Sequence, residues 1–315
     1  MNNPAIRNQS FWYKLKKTEI VKNRGLYLLL LPALLFIVVF AYFPMLGVVI
    51  AFEDYDPVKG FFGSPFVKME NFKFFFSSSS WLQVTVNTLY LNVLFIITGT
   101  VVSVFIAVAM SEISDGVFKK ISQTFMTLPY FVSWATIALF AVAFFSTNGV
   151  INNMLTALGG DPISFYATPD VWPLSFVLIR IWKGGGWGAI VYMASLLSID
   201  RETLEAAEID GATHLQIILK IKLPLITPMI VLMTIMSIGN IFKGDFGMIY
   251  PFIGDNALLY PTTDVIDTYV FRALRTFTNY GRTAAIGLYQ SVMGFVLVLL
   301  SNALAKRYSP ESAIF

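Results

Sequence analysis

Glu205-Ala206-Ala207-Glu208-Ile209-Asp210-Gly211-Ala212, followed by Leu223-Pro224, lies between two long apolar runs at 171–199 and 225–246. A charged, turn-containing segment in that position decides how the whole chain is read. The chain has 315 residues, 56% hydrophobic and only 13% charged, where soluble domains carry about 25% charged residues. Four further apolar runs lie at 26–52, 84–112, 121–145 and 284–306. Each is long enough to cross a bilayer, which takes about 20 residues. Backbone amides in lipid must be satisfied internally, so these runs are expected to be helices. The segments of about ten alternating residues that mark a membrane barrel are absent. The expected fold class is therefore an all-α integral membrane protein with six transmembrane helices.

Lysine and arginine placement orients the chain. With the N-terminus inside, the inner segments hold Arg7, Lys14, Lys16, Lys17, Lys22 and Arg24, then Lys119, Lys120, Arg201, Lys220, Lys222, Lys306 and Arg307. The outer loops hold only Lys59, Lys68, Lys73, Arg272, Arg275 and Arg282. Both termini and the Glu205 segment are expected in the cytoplasm. The first apolar run is too long for a signal-peptide core and reads as a retained helix. The net charge of +3 sits at the inner membrane face, so nucleic acid need not be invoked. The chain has no cysteine and one histidine, His214, which gives no thiolate or metal cluster. No P-loop pattern occurs, so no ATPase site of its own is expected. The simplest organisation is a basic arm at 1–25, one transmembrane domain at 26–308 and a tail at 309–315.

Within the charged segment, Asp200 suits a helix N-cap, with Glu202 in the first turn where the dipole favours a negative charge. Paired Ala206 and Ala207 keep the helix thin. Gly211 permits the left-handed conformation that ends it. Thr213 and Gln216 have capping-box spacing for a second short helix, which Pro224 is expected to close. Two short helices around a tight bend, tethered at both ends to spans, would carry the motion of a docked partner into the membrane.

The segment resembles the EAA loop of binding-protein-dependent ABC importer permeases. That pattern is Glu-Ala-Ala, two residues, Asp-Gly-Ala, then an aromatic, an Ile and a closing Leu-Pro. The chain matches it at Glu205, Ala206, Ala207, Asp210, Gly211, Ala212, Ile221, Leu223 and Pro224, and departs at Ile218, where Phe is usual. The stretches Phe43-Pro44-Met45, Glu70-Asn71-Phe72, Asp264–Val270 and Ala285–Ser291 resemble the maltose-type carbohydrate branch and its complex-oligosaccharide subgroup. The resemblance implies a type I ABC importer permease fold in the bacterial cytoplasmic membrane, and an oligosaccharide as cargo, with an acidic polysaccharide as one source. It implies a second permease subunit, two ATPase subunits that bind ATP and Mg, and an extracytoplasmic sugar-binding lipoprotein. It also implies that this loop is the coupling helix seated on the ATPase.

Charges inside spans are costly and usually face a bundle interior or a wet cavity. Arg180 and Lys183 share a face of the fourth run, near Trp182, Trp187 and the run Gly184-Gly185-Gly186. Asn240, Lys243 and Asp245 form a second polar group late in the fifth run. Arg180, Trp182, Lys183, Trp187, Asn240 and Lys243 are the candidate substrate pathway, with aromatic faces for sugar rings and cations for uronic acids. The alternative is that Arg180 and Lys183 pair with helix ends while the glycines pack helices. Asn87, Asn92 and Gln123 are expected to make inter-helix hydrogen bonds. The competing function is a stand-alone ion-coupled secondary transporter, which would more often show inverted repeats and midspan acids. No catalytic constellation is evident, so the chain is not expected to be an enzyme.

Overall fold

The computed structural model describes residues 22–308, which are almost wholly helical. The expectations for the basic arm, except its last residues, and for the tail at 309–315 lie outside the described residues. The main helices are α1 (Arg24–Phe52), α2 (Ser80–Ser111), α3 (Val117–Thr127), α4 (Trp134–Phe145), α5 (Trp172–Leu197), α6 (Arg201–Ile209), α7 (His214–Ile238), α8 (Phe246–Ile253), α9 (Ile266–Phe277) and α10 (Tyr280–Tyr308).

Five helical stretches among the described residues are long and apolar enough to cross a membrane. The expected count of six is not met as stated. The fourth run does fold as a helix, α5, with 26 residues. Arg180, Lys183 and the glycines of 184–188 dilute its apolar character. The third run is also not continuous. It breaks at Leu128–Phe131, a tight turn around Pro129, before Ser133 caps α4 through the Thr136 amide. Proline removes a backbone donor and fixes φ, so a helix cannot pass it undisturbed.

Two prolines are absorbed differently. Pro44 in α1 and Pro224 in α7 each follow a widened π turn, at Val38–Tyr42 and Ile218–Lys222. The widened turn moves the carbonyl four residues back away from the proline ring, so each helix runs on. Pro224 therefore does not close a second short helix, as the sequence suggested. The first turns after the bend and the fifth span are one helix, α7. That span ends earlier than expected, at Gly239, which leaves Asn240, Lys243 and Asp245 in the following turn.

Helices α2 and α5 form the most extensive pairing in the fold. The glycine run makes it possible. A Cβ on Gly188 would lie 2.5 Å from Ser103 Oγ, and one on Gly185 would press on Val102 and Ile106. On another side of α5, a Cβ on Gly186 would overlap the Met126 carbonyl. The helix is unbroken through all of them, and Gly185, Gly186 and Gly188 serve close packing. At one end of the bundle Trp172, Phe176, Met248 and Phe252 form a buried aromatic core with Leu91 and Phe95. At the other end Ala107, Tyr192, Leu196 and Ile226 join α2, α5 and α7. The first 14 residues of α1 bury nothing in this chain.

Candidate functional site

The bend is built as a double cap. Asp200 Oδ1 accepts from the Glu202 amide at 3.1 Å and starts α6. At its end Gly211 takes φ +80°. The Gly211 amide donates to the Glu208 carbonyl and the Ala212 amide to the Ala207 carbonyl, both at 3.0 Å. That pair of bonds is the left-handed glycine stop that satisfies the last free carbonyls of a helix. Thr213 then opens α7. The Thr213 amide donates to Gln216 Oε1 at 2.8 Å, and the Gln216 amide donates back to Thr213 Oγ1 at 3.4 Å. Such a cap is worth about 1 kcal/mol, so the bend is a defined shape. Its tip faces outward: Glu205, Ala206 and Asp210 are exposed, and Ile209 retains 86% of its surface. Leu215 and Leu219 add exposed apolar surface along α7.

Glu112, one residue past α2, holds this structure to the bundle. Its Oε1 accepts from Lys222 Nζ at 2.6 Å, and its Oε2 pairs with His214 Nε2 at 2.6 Å. Burial pushes the Glu112 carboxyl up, but the Lys222 hydrogen bond and charge, with Ser111 and His214, outweigh it. The net position is below the ordinary glutamate value. Sequence reading missed Glu112 altogether.

Polar residues of the spans meet at a cavity of about 560 Å³ between α2, α5 and α7. Arg180, Trp187 and Asn240 line it, with Asn92, Thr100, Ser103 and Ser237. Trp187 stacks on Tyr130 at 4.3 Å and 5° and presents an aromatic wall. Trp182, Lys183 and Lys243 do not line this cavity. Trp182 points away and is 55% exposed.

The three span cations have different fates. Arg180 Nη1 donates to Asp245 Oδ2 at 2.5 Å, and its guanidinium lies over Phe95 at 4.6 Å. Asp245 sits at φ +44° and caps α8 through the Met248 amide at 3.3 Å. Arg180 thus stabilises a left-handed turn beside the cavity. Lys183 is buried and donates to the carbonyls of Tyr130 and Val132 at 2.5 and 2.7 Å. It satisfies the break between α3 and α4, which matches the helix-end alternative. Lys243 faces a second cavity of about 370 Å³, with Asp267, Gln290 and Ser291. Its ammonium has no ion pair or hydrogen bond among the described residues.

Asn87 and Asn92 do bond across the fold, Asn87 to the short helix Tyr260–Thr263 and its end, Asn92 to the turn after α7. Asn87 donates to the carbonyls of Pro261 and Asp264, and Asn92 to that of Lys243. Gln123 lines a separate cavity between α2, α3 and α5.

A bundle of long apolar helices with an exposed, double-capped bend and a polar cavity defines a class: a multi-pass helical membrane component. The family model for the binding-protein-dependent transport system inner membrane component matches residues 99–310. The chain belongs to that family. It is 36% identical to Protein LplB of Bacillus subtilis, over 92% of this chain and 91% of that protein. It is 31% identical to the polygalacturonan/rhamnogalacturonan transport system permease protein YteP of the same organism, over 93% of this chain and 91% of that protein. A bacterial alginate ABC transporter, crystallised with an alginate pentasaccharide-bound periplasmic protein, contains a chain of the same fold. The TM-score is 0.84 and the identity 31%, over 93% of this chain and 97% of that chain. The chain is therefore a multi-pass membrane protein with the ABC importer permease fold, and the stand-alone transporter reading falls.

Proposed function

We propose that this chain is one permease of an ATP-driven importer that carries an oligosaccharide released from an acidic polysaccharide into the cytoplasm. The carrying observation is the bend at Gly211: exposed, rigidly capped and continuous with α7, which lines the cavity with Met233, Met236 and Ser237. Glu205, Ala206, Ala207, Asp210, Gly211 and Ala212 form the surface offered to an ATPase subunit, and Leu223-Pro224 carries it into the span. Separate ATPase subunits bind ATP and Mg; this chain contributes no nucleotide site. A second permease completes the passage, and an extracytoplasmic sugar-binding lipoprotein delivers the cargo. Both termini and the bend lie on the cytoplasmic side, which agrees with the placement of lysine and arginine. The acidic cargo is supported by the relatives named above and by Lys243, a cation whose ammonium has no partner among the described residues.

The assembled complex with its binding protein tests the reading through sugar-stimulated ATP hydrolysis. Glu205→Lys reverses the charge of the docking face, and Gly211→Pro forbids φ +80°. Both variants are expected to reach the membrane and to lose the stimulation. Stimulation at the wild-type level in either would remove the bend from coupling.

A further inference from the structure

The bend reaches the cavity by two routes. One is covalent, along α7. The other runs through Glu112 into α2, the helix that supplies Asn92, Phe95, Thr100 and Ser103 to the cavity wall. Among the described residues, apart from the local Asp200 cap on Glu202, no other side-chain hydrogen bond or ion pair ties 201–222 to the rest of the chain. The contact is shielded: the side chains of Glu112 and Lys222 retain 20% and 13% of their surface. A partly buried carboxylate meeting a buried ammonium is not replaced by water without cost.

The π turn makes the double contact possible. His214 and Lys222 are eight residues apart, which in a regular helix turns them about 80° from each other. The widened turn at Ile218–Lys222 accommodates one extra residue. It brings the two side chains to within about 20° of one face. Lys222, like other helical side chains, reaches back toward the helix N-terminus, where Glu112 receives it. One carboxylate therefore grips the first and the third turn of α7 at once.

We propose that Glu112 is a positioning residue that makes α2 move together with the bend and α7, so that both walls of the cavity switch as a unit. The proposal rests on the coupling reading above. Without the grip, displacement of the bend carries α7 alone, α2 stays against α5, and ATP is hydrolysed without moving sugar.

The test is the complete complex in liposomes, with both permeases, the ATPase subunits and the binding protein. The readout is sugar imported per ATP hydrolysed, which a merely structural role does not move once the complex has assembled. Glu112→Ala is expected to lower that ratio at least about fivefold, the low end of ordinary coupling between sites, with sugar-independent hydrolysis within about twofold of wild type. The exchange E112K/K222E is expected to restore most of the ratio. If Glu112→Ala does not assemble, Glu112→Gln keeps the shape, removes the charge and carries the same expectation. An unchanged ratio in the assembled Ala or Gln variant overturns the proposal. So does an assembled exchange variant that stays uncoupled. Glu205→Lys separates the two failures. If it abolishes stimulation while Glu112→Ala leaves the ratio intact, only the role of Glu112 falls. If Glu205→Lys changes nothing, the coupling reading itself falls.

Discussion

At the scale of single residues, charge inside the membrane is decided by who answers it. Arg180 is answered by Asp245, and Lys183 by two carbonyls and the rings of Tyr130 and Trp134. Lys243 has no such answer among the described residues, and in the proposed function it is the cation that meets a sugar carboxylate. Lys243→Gln is expected to raise the half-saturating concentration of an acidic oligosaccharide about tenfold or more, since a charge-assisted bond is worth about 1.5–3 kcal/mol. The same oligosaccharide with its carboxylates reduced to alcohols should be unaffected. Equal losses for both sugars would assign Lys243 a packing role. Arg180→Ala should act differently, stranding Asp245 in its left-handed turn and lowering the melting temperature of the complex. The charges themselves were legible in the sequence. Their partners were not, because Arg180 and Asp245 are 65 positions apart and no periodicity relates them. Glu112 carried no signal for the same reason: its partners come from a helix 102 and 110 positions away, His214 and Lys222.

At the scale of helices, small residues and prolines set how closely elements approach. Gly186 and Gly184 are two positions apart, yet only Gly186 lies under a neighbouring backbone. Gly186→Ala must push the Met126 carbonyl away, with a loss of about 1–3 kcal/mol for overpacking. Gly184→Ala meets nothing within 4 Å and should gain a little helix stability. Thermal unfolding of the two variants side by side checks this, and equal melting temperatures would contradict the packing account. The caps around Gly211 were fully legible, because Asp200, Gly211, Thr213 and Gln216 act on backbone within three or four residues. The continuity of α7 through Pro224 was not, since a proline after a charged turn ordinarily marks a boundary and only the π turn removes the clash. The Glu112 grip adds a pH dependence. Its carboxyl is held below the free value of 4.5. Its contribution is therefore fully present above that value and is lost as pH falls through the lowered one. Wild type should lose stability in that acidic window relative to Glu112→Gln. Parallel melting curves for the two across it would deny the grip.

At the scale of the whole molecule, the apolar runs gave the class, and the polar interruption gave the mechanism. The helical membrane fold follows from hydrophobic length, a property that survives any arrangement of the helices. The exact count of spans did not follow, because α5 gives up apolar character to its glycines and two cations, and the third run yields to Pro129. The most direct measurement of the central claim is uptake of labelled oligosaccharide into liposomes holding the complete complex. ATP on the ATPase side and an imposed ion gradient are supplied separately. The account predicts uptake with ATP and loaded binding protein, none with the ion gradient alone, and none with ATP when Glu205→Lys is present in an assembled complex. Uptake driven by the gradient without ATPase subunits, or undiminished by Glu205→Lys, would contradict it.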